Sequence, residues 1–71
     1  MDEIKQEVRN LLNLINRVKT NPLSNIARQR LYSGLVIFKQ YTRKIKREGN
    51  VRIFNEMNRY IEMAEVELLN P

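Results

Sequence analysis

Three stretches of the chain repeat hydrophobic residues at the spacing of an α-helix, and no stretch alternates as a β-strand does. Over about residues 2–19 the repeating positions are Ile4, Val8, Leu11, Ile15 and Val18. Over about residues 22–48 they are Ala27, Leu31, Leu35, Phe38 and Ile45. Over about residues 51–69 they are Phe54, Met57, Ile61, Ala64 and Leu68. Each set forms one stripe along its helix, so the pattern predicts three amphipathic helices.

Two short polar breaks separate these helices. Asn21 and Pro22 can cap and begin the second helix, and Ser24 is an alternative cap. Gly49 can take the left-handed conformation that ends a helix, and Asn50 can cap the third. Short connections favour antiparallel packing of consecutive helices. We therefore predict an all-α fold in which residues 1–71 form a single helical domain, a small three-helix bundle. The alternative is a helical hairpin and one arm that completes its core by dimerisation.

Ser33 and Gly34 interrupt the middle of the second helix. A helical glycine costs about 1 kcal/mol relative to alanine, so Gly34 either permits a close helix crossing, kinks the helix or splits it in two. The pattern leaves the continuity of this helix open. A split would suggest a helix-turn-helix motif, but Arg30 and Arg43 would then occupy positions that this motif keeps small or buried. The pattern thus fits that motif poorly.

The composition excludes several kinds of site. The 71 residues include no Cys and no His, so disulfides and thiolate or imidazole metal sites are impossible, and we expect no cofactor or metal. The side chains that most often transfer protons or attack substrates near neutral pH are therefore missing, and no glycine-rich loop could cradle a phosphate. We predict that the protein is not an enzyme and takes no small-molecule substrate. The stability of so small a chain must come from helix packing, self-association or a partner.

The first residues, Met1-Asp2-Glu3-Ile4-Lys5, are acidic where a signal peptide would be basic. The longest apolar run, residues 35–38, is far shorter than the roughly 20 residues of a membrane-spanning helix. The sequence thus predicts a cytoplasmic protein of the producing cell or, for a viral product, of the host cell.

Positive charge is concentrated in the middle of the chain. The net charge is +5, yet residues 21–50 alone carry seven bases and one acid, which gives +6. Five of these bases fall within nine residues: Lys39, Arg43, Lys44, Lys46 and Arg47. One interpretation is a solvated helix end, because cations suit the C-terminal end of the helix dipole. The other is an anion-binding patch, in which Arg43, Lys44, Lys46 and Arg47 contact phosphates.

Surplus apolar residues suggest an interface. Tyr32 and Val36 lie away from the core stripe of the second helix, and Met63, Val66 and Leu69 depart from that of the third. Arg28, Lys39, Arg43 and Lys46 form a loose basic stripe near Tyr32 and Val36, and we predict that these six residues contact a partner. The acidic residues Glu62, Glu65 and Glu67 are expected to lie beside Arg28 and Arg30 in an antiparallel hairpin.

Two short stretches resemble known families. Residues 60–65, Tyr-Ile-Glu-Met-Ala-Glu, resemble part of the last helix of microtubule-interacting-and-transport domains. Residues 45–51, Ile-Lys-Arg-Glu-Gly-Asn-Val, and the basic helical character are similar to small bacteriocin immunity proteins. The first helix lacks the small alanines of the former family, and the latter proteins are generally longer and have four helices. No functional residue is transferred from either family.

The sequence therefore predicts a small helical protein-interaction module, regulatory, inhibitory or accessory to a macromolecular partner, with self-association through the same apolar face. The first alternative is an accessory protein that binds nucleic acid through its basic second helix. Immunity-protein-like activity and peripheral binding to an anionic membrane are further alternatives. The membrane alternative is the weaker, because the best apolar stripe of that helix is needed for the bundle.

Overall fold

The computed structural model describes residues 2–69, which form three helices: α1 (Asp2–Thr20), α2 (Asn25–Arg47) and α3 (Val51–Leu69). All three pack against one another, and the described residues contain no strand. The predicted all-α three-helix bundle is thus confirmed. Contacts between opposite ends of the helices give the directions: Tyr41, late in α2, meets Glu3 at the start of α1, and Arg28, early in α2, meets Leu68 at the end of α3. Helix α2 runs antiparallel to both neighbours, so α1 and α3 are parallel.

One continuous hydrophobic core fills the centre of the bundle. Its members are the predicted stripe positions Leu11, Ile15, Val18, Ala27, Leu31, Leu35, Phe38, Ile45, Met57, Ile61 and Ala64. The remaining stripe residues at the two ends, such as Ile4 and Leu68, are half-buried against it. Thr42 is the one buried polar residue among residues 3–69, and its hydroxyl donates to the Phe38 carbonyl at 2.8 Å. Since that donor is satisfied, the core carries no polar penalty there.

Helix α2 begins three residues later than the Asn21–Pro22 pattern predicts. The Asn21 backbone N–H donates to the Arg17 carbonyl at 3.0 Å, which completes the last turn of α1. Asn21 therefore ends one helix and does not cap the next. Ser24, the alternative, is the cap: its backbone is extended and its side-chain oxygen accepts from the Ala27 N–H at 3.2 Å.

The connection between α2 and α3 agrees with the predicted cap residues. Gly49 has a φ of 83°, and the Gly49 and Asn50 N–H groups donate to the Lys46 and Ile45 carbonyls. This pair of hydrogen bonds closes the C-terminus of a helix around a left-handed residue. The Asn50 side chain then accepts from the Ile53 N–H at 3.3 Å and caps α3.

Helix α2 passes through Ser33 and Gly34 without a break, so it is one continuous helix. Gly34 faces α1, where a Cβ atom at this position would collide with Cδ1 of Leu14. The absence of a Cβ atom at Gly34 thus leaves room for the Leu14 side chain of α1. A helix-turn-helix centred on Gly34 is excluded, because there is no turn.

Candidate functional site

The basic run of α2 is divided between two sides of the helix. Lys39 and Lys46 lie on the side that faces α3: the Lys39 ammonium is 3.4 Å from the Glu65 carboxylate, and the Lys46 ammonium is 5.3 Å from the ring centre of Phe54. Lys44 lies toward α1: its ammonium is 5.9 Å from the ring centre of Tyr41, also in α2, whose hydroxyl donates to Glu3 of α1. The four bases predicted to contact phosphates are all exposed, but they do not form one surface.

Three bases of α2 line a groove between α2 and α3, which we call the basic groove. Its α2 wall carries Lys39, Arg43 and Lys46, and its α3 wall carries Phe54 and Asn58. Two buried residues, one from each helix, lie at its floor: Thr42 and Ile61. The volume of the groove is about 270 Å³. It thus brings together three of the six residues predicted to contact a partner.

Tyr32 and Val36 lie one turn apart on the outer face of α2 and are 63% and 42% exposed. Helical phase places Tyr32 one turn after Arg28 and Val36 two turns before Arg43. The core is complete without either side chain. These two predicted residues therefore form an exposed apolar pair on the α2 surface that continues into the basic groove.

Arg28, predicted to contact a partner, is engaged within the bundle. The half-buried guanidinium donates to the Pro22 carbonyl at 3.2 Å and to the Leu68 carbonyl at 3.4 Å. It thereby holds the first connection against the C-terminal end of α3. A carbonyl at the end of a helix lacks an intrahelical donor, so this contact also serves as a side-chain cap.

The acidic residues of α3 pair differently from the expectation. Glu65 pairs with Lys39 of α2, and Glu67 lies 3.9 Å from the Lys19 ammonium of α1. Neither pair involves Arg28 or Arg30, because Arg28 is drawn to backbone carbonyls and Arg30 lies toward α1. Exposed pairs of this kind are worth about 0–1 kcal/mol.

The surplus apolar residues do not form one surface. Met63 and Val66 border a shallow depression with Lys19 of α1. They are therefore on the α1 side of α3, whereas Tyr32 and Val36 belong to the outer face of α2. Leu69, which is 82% exposed, lies at the end of α3.

A groove that the sequence pattern does not predict runs between the N-terminal halves of α1 and α3. Its apolar lining comprises Ile4, Val8, Leu12, Ile53, Met57 and Tyr60, and its volume is about 360 Å³. The indication of this groove in the sequence is Leu12, an apolar residue beside the core stripe of α1. Because α1 and α3 are parallel, their N-terminal halves lie side by side and form this groove.

Tyr41 joins α2 to the start of α1. Its hydroxyl donates to the Glu3 carboxylate at 2.8 Å. This hydrogen bond is the main reason that the pKa of Tyr41 is raised from its ordinary value of 10.0, with smaller contributions from desolvation and from the negative charges of Glu3, Glu7 and Glu48. Because the neutral phenol is favoured in the folded state, the contact stabilises the fold below the ordinary pKa. That contribution is lost as the pH rises through the folded-state pKa.

We expect Tyr41→Phe to reduce the loss of stability as the pH rises above about 9, because the contribution of Tyr41 is present below its ordinary pKa of 10.0 and is lost above it. The measurement is the free energy of unfolding in urea, followed by circular dichroism at a series of pH values. Tyr32→Phe is the control, because it removes an exposed phenol from the same helix. Identical alkaline profiles for the wild type and Tyr41→Phe would show that the contact with Glu3 does not form.

The described residues contain no group of three or more carboxylates that could hold a metal ion. None of the helices within residues 2–69 combines the length and the apolar character needed to cross a bilayer. Comparison with protein families, curated proteins and solved structures finds no match for this chain. Its function must therefore be argued from its surfaces.

Proposed function

We propose that this protein is a non-catalytic interaction module that binds a protein partner through the outer face of α2. The observation that carries the proposal is the exposed pair Tyr32 and Val36. These large side chains are 63% and 42% exposed, and neither belongs to the hydrophobic core. Binding energy in protein interfaces is concentrated in a few residues, often tyrosine and arginine, that become fully desolvated. Tyr32 and Arg43 are residues of these types on one face.

Charge beside this pair indicates the kind of partner. Arg43 lies two turns from Val36, Arg47 follows one turn later, and both side chains are exposed. Complementary charge speeds encounter and selects between partners more than it adds affinity. We therefore expect a partner with an apolar contact region bordered by acidic residues. A second copy of the chain is the other occupant to test, because the same apolar pair would be buried in a homodimer.

The test is the double substitution Tyr32→Asp/Val36→Asp. We expect it to weaken partner binding by about 2 kcal/mol or more, which is roughly thirtyfold in Kd, because two desolvated anchors are replaced by charges. Affinity capture from cell extract, quantified by mass spectrometry, measures hetero-binding, and sedimentation equilibrium measures self-association. Circular dichroism should show unchanged helicity, since both side chains are outside the core.

Ile26→Asp/Ile37→Asp is the matched control. Ile26 and Ile37 are 65% and 58% exposed on the same helix, but they border depressions on the α1 side. The control should retain every partner that the Tyr32→Asp/Val36→Asp protein no longer binds. Equal weakening in the two variants, or full binding by both, would contradict the assignment to Tyr32 and Val36. Unfolding of Tyr32→Asp/Val36→Asp would place these residues in the core and would also contradict it.

A further inference from the structure

We propose that the basic groove between α2 and α3 binds the phosphodiester backbone of nucleic acid. Lys39, Arg43 and Lys46 stand on one wall at intervals of four and three residues. At a rise of about 1.5 Å per residue, the three cations extend over roughly 10 Å of the groove. A line of cations of this length matches a ligand whose charge repeats along its backbone.

Two of the three cations of the groove are not neutralised by an ion pair within residues 2–69. Lys39 shares its charge with Glu65, but in the part of the chain that the structure describes neither Arg43 nor Lys46 takes part in an ion pair. The lining of the groove contains three bases and no acidic residue. Such an excess attracts a polyanion over several ångströms and concentrates it at the groove.

The groove is better suited to phosphates than to an acidic protein segment. Its aromatic wall, Phe54, is covered by the Lys46 ammonium at 5.3 Å, so the ring does not offer an open apolar pocket for an anchoring side chain. Protein interfaces depend on such anchors, whereas binding to a nucleic acid backbone is driven by the release of counterions from phosphates. The Asn58 amide on the opposite wall can donate to a phosphate or sugar oxygen.

The side chains of this groove would position a strand and would not read its sequence. Lysine, arginine and asparagine contacts to phosphate carry no base information by themselves. With Lys46 over the ring, Phe54 is not free to stack on a base. We therefore expect binding that depends on salt and is nearly independent of base sequence.

The experiment is a fluorescence anisotropy titration of the full chain with labelled duplex and single-stranded oligonucleotides of mixed sequence, at about 50 mM and about 200 mM salt. Arg43→Ala/Lys46→Ala should lower affinity at the lower salt at least about tenfold. It should also reduce the slope of log affinity against log salt by about 2, because two phosphates are no longer neutralised. Arg43→Gln/Lys46→Gln, with longer side chains, serves if the alanine variant unfolds.

Arg30→Ala/Lys44→Ala is the charge-matched control. Both side chains belong to α2 but lie toward α1, away from the groove. The control should keep the wild-type salt slope, although it removes the same charge. Equal effects of the two double variants would mean that net charge alone attracts the oligonucleotide, and the groove would be rejected. Absence of oligonucleotide binding at the lower salt would also reject it.

Two further arms separate the sources of negative charge. Vesicles of phosphatidylserine and phosphatidylcholine test lipid phosphates, and polyglutamate tests carboxylates. If either competes with the labelled oligonucleotide as well as unlabelled oligonucleotide does at equal charge, the proposal is overturned. Tyr32→Asp/Val36→Asp is also combined with Arg43→Ala/Lys46→Ala and with Arg30→Ala/Lys44→Ala. The difference in oligonucleotide affinity between these two combined variants should persist. The groove is thereby tested independently of the protein-binding face.

Discussion

Replacement of Phe38 by alanine is expected to lower the free energy of unfolding by about 3–5 kcal/mol. Phe38 is 1% exposed and lies in α2, where it belongs to the core shared by all three helices. A chain of this length has a total stability of roughly 4–11 kcal/mol. The substitution should therefore remove a large part of the stability, as measured by urea titration with circular dichroism.

The neighbouring residue provides the control for this result. Ile37 is 58% exposed, so Ile37→Ala should change the free energy of unfolding by only about 0.5 kcal/mol. If Phe38→Ala and Ile37→Ala have similar effects, the inward and outward faces of α2 are wrongly assigned. The basic groove would then be misplaced as well, because it depends on the same rotation of the helix.

The second large effect is expected at the connection between α2 and α3. Gly49→Ala should cost about 1–2 kcal/mol, because a Cβ atom disfavours the left-handed φ of 83°. There is open space around this position, so the cost comes from the backbone alone. For a domain of this size the change corresponds to a fall of about 4–16 °C in Tm, which thermal unfolding followed by circular dichroism can measure.

Gly49→Asn separates backbone strain from other causes. Asparagine tolerates the left-handed conformation better than alanine does, so it should reduce stability less although it is larger. An alanine variant as stable as the asparagine variant would show that the connection does not close as described.

Local chemistry is enough to predict the second connection but not the first. Gly49 and Asn50 act through their own backbone and side-chain preferences, which are visible in the sequence. Asn21 and Pro22 carry equally good signals for a helix start. They fail because α1 continues to Thr20 and uses the Asn21 N–H for its last turn. Asn21 could either complete the last turn of α1 or cap the start of α2, and the sequence pattern does not show which of the two it does.

The surface was harder to predict than the core. A helical wheel gives the angle of each side chain but does not say which neighbouring helix lies at which angle. The sequence therefore grouped Lys44 with Lys46, although they face α1 and α3 respectively. The role of Arg28 depends on carbonyls of Pro22 and Leu68, which only the folded chain brings near it. The groove between α1 and α3 likewise requires knowledge that these helices are parallel.

The parallel arrangement of α1 and α3 has a practical consequence for protein engineering. Asp2 and Leu69 lie at opposite ends of a bundle whose longest dimension is 39 Å. A linker that joined them in a circular permutant would have to run the length of the bundle. At no more than about 3.6 Å per residue it would need on the order of a dozen residues, laid across an outer surface. By contrast, a reporter protein fused next to Asp2 would lie far from Leu69, and one fused next to Leu69 would lie far from Asp2.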